Sequence, residues 1–206
     1  MNATVAVSAV TDVGPQTVAL ELESPEGFDA EPGQFLKLSA TVDGEEYSRF
    51  YTLSSPDVAE TFEITVGVDS AEAGPFSTFL LELTPGDSIE ISGPFGQTFY
   101  DGESRAVVLA GGPGGGPAVG IAEAAVADGN DAAIVYRTDA PAHGDRLEAL
   151  REDGVSVTVT DGDITSAVAD AVTDAPDEQV FVYGFADFVD DALTALGATD
   201  ADPEAA

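Results

Sequence analysis

In the first half of the chain, apolar and polar positions come in short runs. TVAVSAV (4–10), QTVALEL (16–22), QFLKLSAT (34–41), YSRFYTLS (47–54), TFEITVGV (61–68) and SIEISG (88–93) are rich in β-branched residues and often alternate with a period of two. Turn signals separate them: Pro32-Gly33, Asp43-Gly44 and Pro85-Gly86-Asp87. This pattern predicts an N-terminal six-stranded antiparallel β-barrel. One stretch departs from it. In PFSTFLLEL (75–83), Phe76, Phe79, Leu80 and Leu83 follow helical spacing, with Pro75 at the first turn.

From about residue 104 the period changes. AVVLAGG, AAIVYR, VSVTVT and QVFVYG read as short buried strands. PAVGIAEAAVADG, DRLEALRED, ITSAVADAVTD and FVDDALTALG alternate with them as helices. Strand–helix alternation predicts a doubly wound parallel α/β domain with right-handed crossovers. The expected division is a β-barrel domain over 1–100, an α/β domain over 104–198 and a polar, frayed tail over 199–206. The boundary is expected within GPFGQTFYDGES (93–104).

Composition narrows the function classes. The 206 residues, 44% of them apolar, suffice for two cores of roughly 100 residues each. No run is long and apolar enough to span a bilayer. The start, MNATVAVSAVTDVG, lacks a basic n-region, so no secretory leader is expected. The absence of cysteine excludes a disulfide framework, a Cys-ligated zinc site and a cysteine-held iron–sulfur cluster, and fits a cytoplasmic protein. Asp and Glu total 39 against 6 Lys and Arg, a formal charge of −33. The acids are scattered through segments patterned to fold, so they read as solvated surface suited to molar salt. No basic patch exists for nucleic acid.

Four segments stand out against this surface. Ala110-Gly111-Gly112-Pro113-Gly114-Gly115-Gly116-Pro117 follows a strand and opens a helix, where backbone N–H groups and the helix dipole favour an anion. It is neither a Walker loop nor the six-position dinucleotide fingerprint, since Pro117 replaces the final glycine. A loose strand–helix turn is the plain alternative. In Arg49-Phe50-Tyr51-Thr52, Arg49 and Tyr51 are expected on one strand face, with Phe50 and Leu53 on the other. Arg offers a fork for phosphate, Tyr a ring for stacking and Thr a hydroxyl. Alone, the same residues read as a surface ion pair and barrel core. Gly74-Pro75-Phe76-Ser77-Thr78 enters a helix. Val182-Tyr183-Gly184-Phe185-Ala186-Asp187-Phe188-Val189 ends the last strand, at the sheet edge where ligands bind. The single histidine, His143, is expected in a loop away from these motifs.

Taken together, in order and spacing, the segments resemble the ferredoxin–NADP reductase-like superfamily of flavoproteins. Its R-x-Y-[ST] motif matches Arg49 to Thr52, and its G-x-x-S helix start matches Gly74 to Ser77. Its interdomain G-P-x-G matches Gly93-Pro94-Phe95-Gly96, and its G-x-G-x-x-P matches Gly112 to Pro117. The resemblance implies FAD and a pyridine nucleotide, NADH or NADPH, as cofactors. It implies hydride transfer to flavin N5 and electron delivery to an acceptor, such as a ferredoxin or other redox protein. It places Arg49 on the FAD pyrophosphate, with the Gly74, Phe76 and Ser77 amides and the Ser77 hydroxyl. Tyr51 would stack on the isoalloxazine, and Thr52 would hydrogen-bond near N5. Val66 and Gly67 would border the flavin. Gly112, Gly114, Gly115, Gly116, Gly184 and Phe185 would meet the nucleotide.

Departures from the family pattern fall on the nucleotide side: Pro113 for threonine, Gly115-Gly116 for Ile-Ala, and Tyr183-Gly184-Phe185-Ala186 for Cys-Gly-Pro-Pro. Relatives specific for NADP carry Ser and Arg after the third α/β strand; here Thr160-Asp161-Gly162-Asp163 stands there, which favours NADH. Arg137, after the second strand, is a possible counterweight or a surface arginine. The alternatives are a flavin subunit fed by a partner protein, and a nucleotide-sensing or interaction module that has lost its cofactor.

Overall fold

The computed structural model describes residues 1–67, 74–197 and 203–205. Strands β1 (Asn2–Gly14), β2 (Thr17–Glu23), β3 (Phe35–Val42), β4 (Glu45–Thr52), β5 (Thr61–Gly67) and β6 (Ser88–Phe95) form one antiparallel sheet in the order β4-β3-β6-β1-β2-β5. Val68, assigned by its pattern to the fifth strand, lies outside the described residues. The β3–β4 turn is made by Asp43 and Gly44 at φ 52° and 87°, the left-handed pair that a two-residue hairpin requires.

The sheet curls because β1 serves two partners. Asn2–Ala6 pair with β6 and Val7–Gly14 with β2, with register shifts between Val7 and Ala9 and between Asp12 and Gly14. Each extra residue bends and twists the strand. The concave side buries Leu20, Leu22, Leu36, Leu38, Phe62 and Ile64. Helix α1 (Pro75–Leu81) caps this core with Phe76 and Leu80. The barrel is not sealed by a ladder. Among the described residues, β4 and β5 meet through one isolated bridge, Leu53 to Ile64. Phe50 and Leu53 do not share a face as expected: Phe50 is 62% exposed and Leu53 1%. Three positions apart in a period of two puts them on opposite sides.

The second half contains β7 (Arg105–Gly111), a 3₁₀ turn over Gly112–Gly114, α2 (Gly115–Ala127), β8 (Asp131–Arg137), α3 (Gly144–Glu152), β9 (Ser156–Thr160), α4 (Thr165–Ala171), β10 (Glu178–Tyr183) and α5 (Ala186–Gly197). The parallel sheet runs β10-β7-β8-β9 and reverses order beside β7, the doubly wound arrangement predicted. Val108, Ile134 and Phe181 pack under α2 and α3, while Val107, Val135 and Val182 pack under α4 and α5. The tail does not simply fray: Pro203–Ala205 form strand β11, parallel to β10. The backbone edge of β10 offers free ladder positions there.

Helix α2 has no polar face. Ten of its residues are buried. One side lies on the parallel sheet and the other on the first domain, so glycine and alanine occupy both. A Cβ on Gly120 would stand 2.8 Å from the Ser54 carbonyl oxygen, so the helix and the end of β4 touch backbone to backbone.

Candidate active site

The close approach of α2 to the β-domain leaves a cleft of about 330 Å³ on one side of the contact. Its first wall is the end of β4, Arg49 to Thr52, with Thr65 and Gly67 of β5. Facing it are Pro113, Gly114 and Pro117 of the glycine turn and Tyr183, Gly184 and Phe185 from the end of β10. Arg49, Tyr51, Thr52, Gly67, Gly114, Gly184 and Phe185 therefore gather in one place, although 136 positions separate Arg49 from Phe185.

The charges in this cleft are selective. Arg105, Arg137, Arg146 and Arg151 each pair with a carboxylate. Arg49 has no ion-pair partner among the described residues; one of its N–H groups donates to the Ser48 carbonyl. No carboxylate lines the cleft among the described residues, in a chain with 39 acids. The Tyr51 phenol is half-buried, and desolvation raises its pKa against the opposing influence of Arg49 and Ser77. Burial likewise raises the Tyr183 hydroxyl far above its ordinary value, so it stays protonated. Among the described residues the cleft thus offers one guanidinium without a carboxylate, uncharged aromatic rings and hydroxyls, which suits a planar anionic ligand such as a flavin nucleotide.

Of the other expected residues, Ser77 adjoins the cleft through a side-chain hydrogen bond with Tyr51, and the rest are not among its lining residues. Val66 is in the barrel core at 1% exposure. Phe76 also points into that core, and Gly74 and Ser77 sit at the half-buried start of α1, whose N-terminus carries no side-chain cap. Gly112 is exposed, and its carbonyl accepts a hydrogen bond from Tyr136.

Gly115 and Gly116 do not face the cleft; both are buried. A Cβ on Gly115 would lie 2.5 Å from the Tyr136 hydroxyl, and one on Gly116 2.3 Å from Thr65 Oγ1 and 2.4 Å from Ser54 Oγ. On Gly114, a Cβ would lie 2.2 Å from the Tyr183 carbonyl oxygen. The glycines at 114, 115 and 116 therefore admit protein neighbours at close range.

His143 is not in a remote loop. It is 3% exposed, precedes α3 and sits at the domain contact. Its Nε2 lies 2.7 Å from Thr65 Oγ1, which lies 2.7 Å from Ser54 Oγ. Its backbone N–H donates to the Val13 carbonyl. Beside it, Arg146 donates to Glu63 of β5, Glu123 of α2 and the Ser54 carbonyl, joining three segments. Burial, with the Arg146 charge second, lowers the His143 pKa to about 4. Desolvation raises Glu63 despite Arg146. For Arg146 itself, burial opposes the charge, but Glu123 and Glu63 outweigh it and raise the pKa. Motif reading missed Thr65, Ser54 and Arg146. The one available signal was alternation in β5, where Glu63, Thr65 and Gly67 share the side away from the barrel core.

Residues 4–100 match the family model described as the oxidoreductase FAD-binding domain. That match lies on the β-domain and agrees with the resemblance to the ferredoxin–NADP reductase-like superfamily. The chain is 38% identical over 108 residues to a probable dihydroorotate dehydrogenase B (NAD(+)) electron transfer subunit from Methanopyrus kandleri, covering 52% of this chain and 38% of that protein. It is 35% identical over 101 residues to NADH-cytochrome b5 reductase 1 from Eremothecium gossypii, covering 48% and 35%. These matches span little more than a third of either relative. The whole fold is similar to the cytochrome b5 reductase domain of Ulva prolifera nitrate reductase, with a TM-score of 0.82, 17% identity and coverage of 98% and 94%. This likeness in fold takes in both halves of the chain.

Proposed function

We propose that the protein is an FAD-dependent oxidoreductase that takes reducing equivalents from NADH in preference to NADPH and passes electrons to an acceptor protein, working in the cytoplasm. The observation that carries this is the cleft itself, which among the described residues is acid-free and holds the one arginine without a carboxylate partner. FAD, when bound, supplies hydride acceptance at N5 and the release of electrons. The chain's residues bind and orient. Arg49 takes pyrophosphate oxygens, helped by the Gly74, Phe76 and Ser77 amides and the Ser77 hydroxyl. The Tyr51 ring covers one face of the isoalloxazine, and Thr52 donates a hydrogen bond near its reacting edge. Val66 and Gly67 border the flavin through the backbone of β5. Gly112, Gly114, Gly184 and Phe185 form the pyridine-nucleotide side, with Gly115 and Gly116 setting the path of the turn.

The preference for NADH rests on charge. Arg137 and Thr160 are paired neighbours at the ligand edge of the sheet. Arg137 is engaged by Asp191 at 2.6 Å and lies over the Phe188 ring. Asp161 and Asp163 follow at once and would repel a 2′-phosphate. Steady-state assays in molar salt should give a higher kcat/KM for NADH than for NADPH; the reverse order would refute this assignment. The names of the two relatives, an electron transfer subunit and an NADH reductase, support a protein acceptor.

A second reading, a flavin subunit fed by a partner and not by pyridine nucleotide, is favoured by Phe185. Its ring lies 3.5 Å from where a Gly112 Cβ would stand, over the turn where the nucleotide would dock. Flavin that NADH and NADPH both fail to reduce would select it.

A further inference from the structure

We propose that Thr65 is a ligand-binding hydroxyl of the cleft, donating a hydrogen bond to a carbonyl oxygen of the planar ring bound there, and that His143 is the positioning residue that fixes the direction of its proton. The identity of the ring rests on the function proposed above; the hydrogen-bond arrangement does not.

His143 Nδ1 faces Arg146 Nη1 at 3.4 Å. A guanidinium has donors only, so an N–H at Nδ1 would point at another N–H. Nδ1 is therefore the bare nitrogen. Burial beside the Arg146 charge keeps the ring neutral, so its single proton sits on Nε2 and is donated to Thr65 Oγ1, 2.7 Å away. Ser54 is fully buried, and among the described residues its hydroxyl has one partner, the same Oγ1 at 2.7 Å. A buried O–H left without an acceptor is costly, so Ser54 also donates to Thr65. Thr65 Oγ1 then accepts twice, and its own proton must leave in a remaining direction. Gly116 occupies another side, with no room for a Cβ. The cleft, which Thr65 lines, is the side left open.

This explains why three neutral polar side chains meet in the contact beside the Arg146 ion pairs, where three valine-sized groups would avoid the desolvation cost. Oriented as described, they present a neutral donor on the same wall as Arg49, Tyr51 and Thr52. A carbonyl is the matching acceptor, from either the flavin ring or the nicotinamide carboxamide.

The test has two arms. The chain contains one histidine, so long-range 1H–15N spectra of the labelled full-length protein in molar salt report on it without ambiguity. A neutral ring protonated at Nε2 at pH 7 is expected, and protonation at Nδ1 would overturn the proposal. In the second arm, FAD affinity and the KM for NADH, with ferricyanide as acceptor, are measured for Thr65→Val and Thr65→Ser. Loss of one neutral hydrogen bond predicts that Thr65→Val weakens one of the two by about 3- to 10-fold, and that Thr65→Ser restores most of it. Weaker FAD binding places the acceptor on the flavin; a raised KM alone places it on the nicotinamide. His143→Leu should reproduce the Thr65→Val loss, and His143→Gln, which keeps a neutral N–H donor, should not. If His143→Leu does not fold, His143→Gln and the Thr65 pair decide. A folded Thr65→Val equal to wild type in both constants would overturn the proposal. Wild-type protein that neither holds FAD nor oxidises NADH would instead overturn the function proposed above, while the tautomer result would still stand.

Discussion

At the residue scale, a few groups stand out against their surroundings. Among the described residues Arg49 is a cation without a carboxylate partner, in a chain of net charge −33, which is what a ligand phosphate requires. A charge-assisted hydrogen bond contributes about 1.5–3 kcal/mol, so Arg49→Ala should weaken FAD binding roughly 10- to 150-fold; unchanged affinity by fluorescence titration would contradict the assignment. Gly116 makes a different case. A side chain there must displace Thr65 and Ser54 hydroxyls that a Cβ would approach to 2.3 and 2.4 Å. Gly116→Val should lower stability by about 1–3 kcal/mol through overpacking, read as a fall in Tm. His143 supplies a pH dependence with a definite sign. The unfolded imidazole takes up a proton below its ordinary pKa of 6.5, and the folded one only near 4. Between these values the unfolded state binds more protons, so stability falls as pH falls from 6.5 to 4, by up to about 3 kcal/mol. His143→Gln should lack that part of the slope in chemical or thermal unfolding followed across this range.

At the element scale, the contact between α2, α3 and β5 decides the shape of the cleft. Arg146 on α3 holds Glu63 of β5 and Glu123 of α2, each at 2.7 Å. Arg146→Ala would leave two partly buried carboxylates facing each other without a cation. A loss of about 2 kcal/mol is expected, discounted for partial exposure, which is a fall of about 4–8 °C in Tm for a chain of this size.

Much of the elements was legible in the sequence, because strand and helix periods are local. Asp43-Gly44 announced its hairpin, and the change of period near residue 104 announced the strand–helix alternation of the second half. The motif residues Arg49, Tyr51, Thr52 and Gly114 could be assigned to one cleft by resemblance. The contacts behind them could not be read in the same way. His143 and Thr65 are 78 positions apart and carry no shared motif. Gly115 and Gly116 look like ligand-approach glycines in the sequence, and only packing against Tyr136, Ser54 and Thr65 reveals their reason. The bulges in β1 that let one strand pair with both β2 and β6 leave no mark in the alternation pattern.

For the whole molecule, charge dominates. Unscreened carboxylates repel over ~10 Å at 0.1 M salt and over ~3 Å at 1 M. Raising KCl from 0.1 M to 2 M should therefore raise Tm, and a Tm independent of salt would contradict the reading of the acids as solvated surface adapted to salt. The two domains form one cleft whose walls come from distant parts of the chain, and the function proposed for it needs both walls. The most direct test is the visible absorption spectrum of the full chain, purified in molar salt and supplied with FAD, recorded without oxygen before and after addition of NADH. A flavin spectrum that bleaches on adding NADH is the predicted result. A protein that stays colourless and takes up no FAD would contradict the account.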